Sequence, residues 1–193
     1  MTGAELLSSL GKFFGPRILA KTEFRGETTL TIARESLREL VQFCRDELRF
    51  DCLLDISSVD NFGDEPRFEV VYELYSLPFA AHLRLKLTVS EDDPTVDTVS
   101  DIWPAADWHE REIYDMMGLR FNNHPDLRRI LMWEGYPYFP LRKEFPLAGL
   151  PSNMPDVAFS EAAPLEGGPF VTVPSTATVK DREPRARRPA GEH

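Results

Sequence analysis

Residues 67–89, RFEVVYELYSLPFAAHLRLKLTV, alternate apolar and polar side chains through two runs joined at Leu77-Pro78. Period-two alternation marks half-buried strands, so Arg67–Leu77 and Ala81–Val89 are expected to pair. Val70, Tyr72 and Leu74 share one face of the first run, and Leu83, Leu85 and Leu87 one face of the second. Burying each contributes about 1.5–3 kcal/mol. That face is core rather than site.

Working outward, Cys52–Asp60 reads as a further strand ending in a turn at Asn61-Phe62-Gly63. Before it, Glu35–Leu48 carries Leu37, Leu40, Val41, Cys44 and Leu48 at helical spacing. Residues 17–24 and Thr28–Ala33 alternate around Gly26, the pattern of a β-hairpin. Residues 4–14 place Leu6, Leu7, Leu10, Phe13 and Phe14 on one helical face that Gly15-Pro16 closes. This predicts a short docking helix over 1–15. Glu5 and the lack of arginine before Arg17 count against a transit peptide, and no charged segment leads into an apolar run as in a secretory signal.

The order α-β-β-α-β-β-β-α predicts an α+β domain over 16–149, a two-layer fold in which a mixed β-sheet carries its helices mainly on one face. Residues 150–193 are proline-rich without a periodic apolar face, so an extended or disordered C-terminal tail is expected. Phe159, Phe170 and Val171 give its first half something to bury on a partner, whereas 180–193 have nothing to bury.

A net charge of −10 and a pI near 4.9 argue against nucleic acid and against direct docking on anionic lipid. No apolar run approaches the ~20 residues of a membrane span. Cys44 and Cys52, outside any C-x-x-C spacing, read as buried free thiols of a reducing compartment.

The densest chemistry lies in 103–149, WPAADWHEREIYDMMGLRFNNHPDLRRILMWEGYPYFPLRKEFPLAG. It is expected to open with a helix whose N-cap is Asp101, with Pro104 in the first turn and Gly118 as C-terminal stop. Spacing puts Trp108, Glu112 and Asp115 on one face and Ala106, His109, Ile113 and Met117 on another. Beyond Gly118 the chain reads as irregular.

His109-Glu110-Arg111-Glu112-Ile113 begins like a zinc-binding H-E-x-x-H helix but ends in isoleucine, and two isolated cysteines are too few for an iron–sulfur cluster. Glu110 and Glu112 point to different sides, so they do not converge as an acid–base pair. Arg111 has Asp115 in reach at i, i+4, a pairing worth about 0.3–0.5 kcal/mol on an exposed helix. Arg128, Arg129, Arg142 and Lys143 read as braces against the carboxylates of a neighbour. With Trp108, Tyr114, Trp133, Tyr136 and Tyr138 they make a stretch rich in the residue types that dominate interfaces.

Three segments of this stretch carry a resemblance: Glu110–Phe121 (ERE-YDM-GL-F), His124–Leu131 (HPDLRRIL) and Pro140–Gly149 (PLRKEFPLAG). Together they resemble the signature of the C subunit of NADH–quinone oxidoreductase, respiratory complex I, also called the thirty-kilodalton subunit. A weaker likeness runs back through DISSVD (Asp55–Asp60) and RFEVVYELYSL (Arg67–Leu77). Where the family usually has GHPLRKD, this chain has YFPLRKE, with Phe139 for the histidine and Glu144 for the aspartate.

The resemblance implies a cofactor-free core subunit of the peripheral arm, with no catalytic residues of its own. It implies docking to the D subunit foremost, beside the B subunit and other peripheral-arm subunits. FMN and iron–sulfur clusters are then carried by these partners, and NADH and quinone are handled by the complex, which translocates protons. The implied location is peripheral, on the cytoplasmic side of a bacterial inner membrane.

On this reading the partner interface comprises Trp108, Glu110, Arg111, Glu112, Tyr114, Asp115, His124, Arg128, Arg129, Trp133, Tyr136, Tyr138, Arg142 and Lys143. Two alternatives stand beside it. One is the equivalent subunit of a membrane-bound hydrogenase or ferredoxin-fed quinone oxidoreductase. The other is a free-standing enzyme using Glu112 and Asp115 as an acid pair.

Overall fold

Three α-helices and seven strands follow one another along residues 3–146, the part of the chain that the computed structural model describes, with side chains from Ser8 onward. They are α1 (Gly3–Phe14), β1 (Ile18–Phe24), β2 (Glu27–Ile32), α2 (Leu37–Asp46), β3 (Cys52–Asp60), β4 (Phe68–Ser76), β5 (Ala81–Val89), β6 (Thr95–Asp97), α3 (Ala106–Met117) and β7 (Arg120–Asn122). The arm expected over 150–193 lies outside the described residues, as do 147–149.

The alternating runs form the centre of the sheet. β4 and β5 pair antiparallel along their whole length, from Phe68 opposite Val89 to Ser76 opposite Ala81. β3 joins β4 antiparallel with an irregularity between Leu53 and Asp55, and the β1–β2 hairpin attaches to β5 through a parallel β2–β5 pairing. The order β1-β2-β5-β4-β3 is therefore a mixed sheet. One face presents Leu30, Ile56, Phe68, Val70, Tyr72, Leu74, Leu83, Leu85 and Leu87 to a single core that also takes Leu10 and Phe14 of α1, Leu37, Leu40, Val41 and Cys44 of α2, and Ala106, Ile113 and Met117 of α3. Burial pushes the Cys44 thiol up, and both cysteines are free. The docking helix α1 thus docks on its own domain, with Phe13 and Phe14 against Phe43 at ring distances of 5.0 and 5.4 Å.

The opposite face of β4 and β5 is polar. Glu69 pairs with Lys86 at 2.7 Å, and Glu73 pairs with Arg84 and with His82. Such half-exposed cross-strand pairs contribute a few tenths of a kcal/mol, about 0.2–1 each. They order the surface without adding much stability.

Three details depart from the sequence reading. Arg34–Ser36 forms a 3-10 turn, so α2 starts at Leu37. β6 and β7 pair in parallel as a small second sheet; at three residues each they are too short for alternation to reveal. Asp101 does not cap α3. Its carboxylate is taken by Arg38 at 2.6 and 3.0 Å, while turns from Val99 to Trp103 and from Trp103 to Ala106 wind the chain into a helix that no described side chain caps.

Candidate partner-docking surface

Helix α3 ends where the sequence places its stop. Gly118 adopts a left-handed backbone, φ +79°, and its N–H bonds the carbonyl of Tyr114. Glycine is required here twice over, because a Cβ would also lie 2.7 Å from the Phe139 ring and 2.9 Å from the Arg142 guanidinium.

A helix C-terminus leaves carbonyls unpaired. Here the segments that follow supply the donors. Arg129 Nη1 donates to the Asp115 carbonyl at 2.9 Å, the N–H of Leu141 to that of Met116 at 3.1 Å, and Arg142 Nε to that of Met117 at 2.7 Å. Two guanidinium groups at this end also oppose the negative pole of the helix dipole. Phe139, standing where the family usually has histidine, lies beneath both arginines, 5.3 Å from Arg129 and 4.7 Å from Arg142.

Asp115 is wholly buried and accepts four hydrogen bonds. Oδ1 takes Arg129 at 2.5 Å, and Oδ2 takes the N–H groups of Ile130, Leu131 and Met132 at 3.0, 2.7 and 2.8 Å. Burial acts to raise its pKa, but the Met132 N–H, Arg129 and the other two N–H groups overcome it and hold the carboxyl below its ordinary value.

Arg67, 5% exposed, holds the third segment. It binds Asp60 through two nitrogens at 2.8 and 2.9 Å, Glu91 at 2.7 Å, and Glu144 of the PLRKE segment. Asp60 also accepts the N–H of Lys143 at 2.8 Å. The Arg67 guanidinium keeps the Asp60 carboxyl below its ordinary value.

Several expected site residues are therefore not where spacing put them. Asp115 lies in the interior, apart from Trp108 and Glu112, so Glu112 and Asp115 form no acid pair. Arg111 does not meet Asp115. It lies over the Trp108 ring at 5.3 Å and donates to the carbonyls of Arg128 and Arg129.

The carboxylates that Arg129 and Arg142 meet belong to this chain: Asp115 for the first, Glu91 and Glu144 at 3.7–3.8 Å for the second. Glu110 and the His124 side chain have no solvent exposure, and Tyr136 is buried against Trp133 and Tyr138. Beyond Gly118, residues 120–122 form a strand rather than irregular chain.

What faces outward is a smaller set. Trp108 is 62% and Leu131 61% exposed, and Leu141 lies open as well. Glu112 and Lys143 are exposed, as is Arg128, which pairs with Asp126 two residues away. Tyr114, Trp133 and Tyr138 are half-buried. Spacing alone did not single out Leu131 and Leu141, nor Asp60 and Arg67. For Asp60 a signal existed: it continues the inward parity of Ile56 on β3, a costly place for an aspartate without a buried partner. Among the described residues no group of three or more His, Cys, Asp or Glu side chains is placed to hold a metal ion.

Comparison with known proteins gives this geometry a lineage. The model of the family described as respiratory-chain NADH dehydrogenase, 30 Kd subunit, matches residues 30–151. The C subunit of NADH-quinone oxidoreductase from Geobacter sulfurreducens is 50% identical over 137 residues, 70% of this chain and 85% of that one. Its counterpart from Roseiflexus sp. is 42% identical over 152 residues, 76% of this chain and 86% of its own. Among solved structures, the trypsin-resistant fragment of Nqo5 superposes with a TM-score of 0.59 at 30% identity, over 65% of this chain and 100% of the fragment. A chain of membrane-bound sulfane sulfur reductase, an archaeal respiratory membrane complex, shares the fold at TM-score 0.65 and 23% identity, over 75% and 86% of the two chains.

Proposed function

This chain belongs to the respiratory-chain NADH dehydrogenase 30 Kd subunit family, and from that premise we propose that it is a cofactor-free scaffold of a proton-translocating NADH–quinone oxidoreductase. Its partners are other subunits of the complex, the D subunit foremost and the B subunit beside it. Those partners carry FMN and the iron–sulfur clusters. The chain sits on the cytoplasmic side of a bacterial inner membrane, held there by protein contacts. Among the described residues no helix is long and apolar enough to cross a membrane.

One observation carries this reading. The signature's charged residues are largely spent inside the chain, on helix ends and buried carboxylates, and what they hold rigid is an outward set of large side chains: Trp108, Leu131 and Leu141. Exposed apolar and aromatic side chains on segments already tied to the fold suit protein docking, because ordering them on binding costs little.

The test is co-expression with the remaining subunits. Trp108→Ala combined with Leu131→Asp should leave thermal unfolding of the isolated chain within a few degrees of the parent. Recovery of intact complex should fall by at least about 30-fold, the equivalent of ~2 kcal/mol at an interface anchor. Normal assembly of that variant would remove these two side chains from the interface.

A further inference from the structure

We propose that Glu110 is a buried proton-binding site, and that its protonation state sets how firmly the 98–101 turn and the His124 turn are held against α3. Its side chain is wholly buried. Oε1 accepts the Val99 N–H at 2.7 Å and Oε2 the Thr98 hydroxyl. No guanidinium among the described residues touches it: Arg38 of α2 is spent on Asp101 and on the Thr98 carbonyl. The other groups around it are Asp107 of α3, Asp101 of the turn, Asp97 of β6, Tyr72 of β4 and His124.

His124 closes the seam on its other side. Its side chain is wholly buried, and Nδ1 accepts the N–H of Asp126 at 3.0 Å. The ring proton therefore sits on Nε2, 3.3 Å from the Asp107 carbonyl and 3.8 Å from Glu110 Oε2. A proton entering this seam has Glu110 as its acceptor, a carboxylate with two donors and no guanidinium. Thr98 can accept it, since its oxygen also lies 2.8 Å from the Ser100 hydroxyl: Glu110 donates to Thr98, and Thr98 redirects its own proton to Ser100. A cleft of about 520 Å³ lined by Thr98, Ser100, Asp107 and Asn123 borders the seam at Thr98.

Burial pushes the Glu110 carboxyl up to about 7, Thr98 and Val99 oppose it, and Asp107 and Asp101 add to it. Against the ordinary 4.5, the folded chain holds this proton roughly two orders of magnitude more tightly than the unfolded chain. The sign follows. The folded state binds more protons between these values, so Glu110's contribution is full below 4.5 and is lost as pH rises through about 7.

The experiment uses the full chain. Thermal unfolding from pH 4.5 to 8.5 is compared for the parent and Glu110→Gln, in which an amide reproduces the neutral donor–acceptor pattern. The parent midpoint should fall across this window by about 5 °C or more relative to the variant, and the carbon-13 resonance of the Glu110 carboxyl should titrate near neutrality. Parallel midpoint curves, or a carboxyl titrating in the ordinary glutamate range, would overturn the proposal. Should Glu110→Gln fail to fold, the resonance of the parent decides alone.

Discussion

In the first half of α3 a buried carboxylate, Glu110, meets two donors; in the last turn of the same helix another, Asp115, meets four. Both are closed off from solvent. Their proton affinities nevertheless move in opposite directions, Glu110 upward and Asp115 downward. Burial penalises either charge; the number and charge of the donors decide whether the penalty is overcome. Three backbone N–H groups and a guanidinium suffice, whereas one N–H and one hydroxyl do not. The first half of the helix is thus a seam that titrates near neutrality, and the last turn is a permanent ionic anchor for the 128–132 turn.

Removing the anchor is the most direct way to break this comparison. Asp115→Ala takes the carboxylate from the Arg129 guanidinium and leaves three N–H groups without an acceptor, and should cost about 3–5 kcal/mol in urea unfolding. A loss below ~1 kcal/mol would mean that the four bonds are not holding the turn. The same carboxylate shapes the acid limb. Since its folded pKa is depressed, its contribution is full above the ordinary 3.8 and is lost as pH falls through the folded value. Asp115→Asn should flatten that limb and leave the neutral one, assigned to Glu110, in place.

Two arginines of the signature sharpen the contrast at smaller magnitudes. Arg142→Glu uncaps the Met117 carbonyl and sets a third acid beside Glu91 and Glu144. A loss of about 1.5–3 kcal/mol in the isolated chain is expected, from a charge-assisted bond left unmade. Arg128→Glu touches an exposed pair and should stay within ~0.5 kcal/mol. Equal effects at the two positions would erase the distinction between bracing and outward residues.

Much of the fold was legible along the chain. β3 occupies Cys52–Asp60, the segment read as a strand ending in a turn, β5 occupies Ala81–Val89 as alternation predicts, and Gly118 ends α3 as its lack of Cβ allows. The helix start was not legible, because Asp101 reads as a cap until Arg38, 63 positions away, claims it. Nor was the pairing of Asp115: its i−4 neighbour Arg111 is the local candidate, yet Arg129 arrives from a loop that helical spacing does not describe. His124, expected at a partner interface, is instead sealed inside by contacts with Asp107 and Asp126.

The sequence by itself determined where the longer strands and the helices lie, that the sheet is polar on one face, and to which family the chain belongs, since periodicity and ordered motifs are properties of neighbours along the chain. Only the tertiary structure decided which charges are braces and which face outward. Arg67 finds Glu144 across 77 positions, and Glu110 finds Thr98 through a turn that no repeat encodes. A charged side chain's worth depends on the solvent it loses and the donors it gains, and both are set when distant segments close on one another.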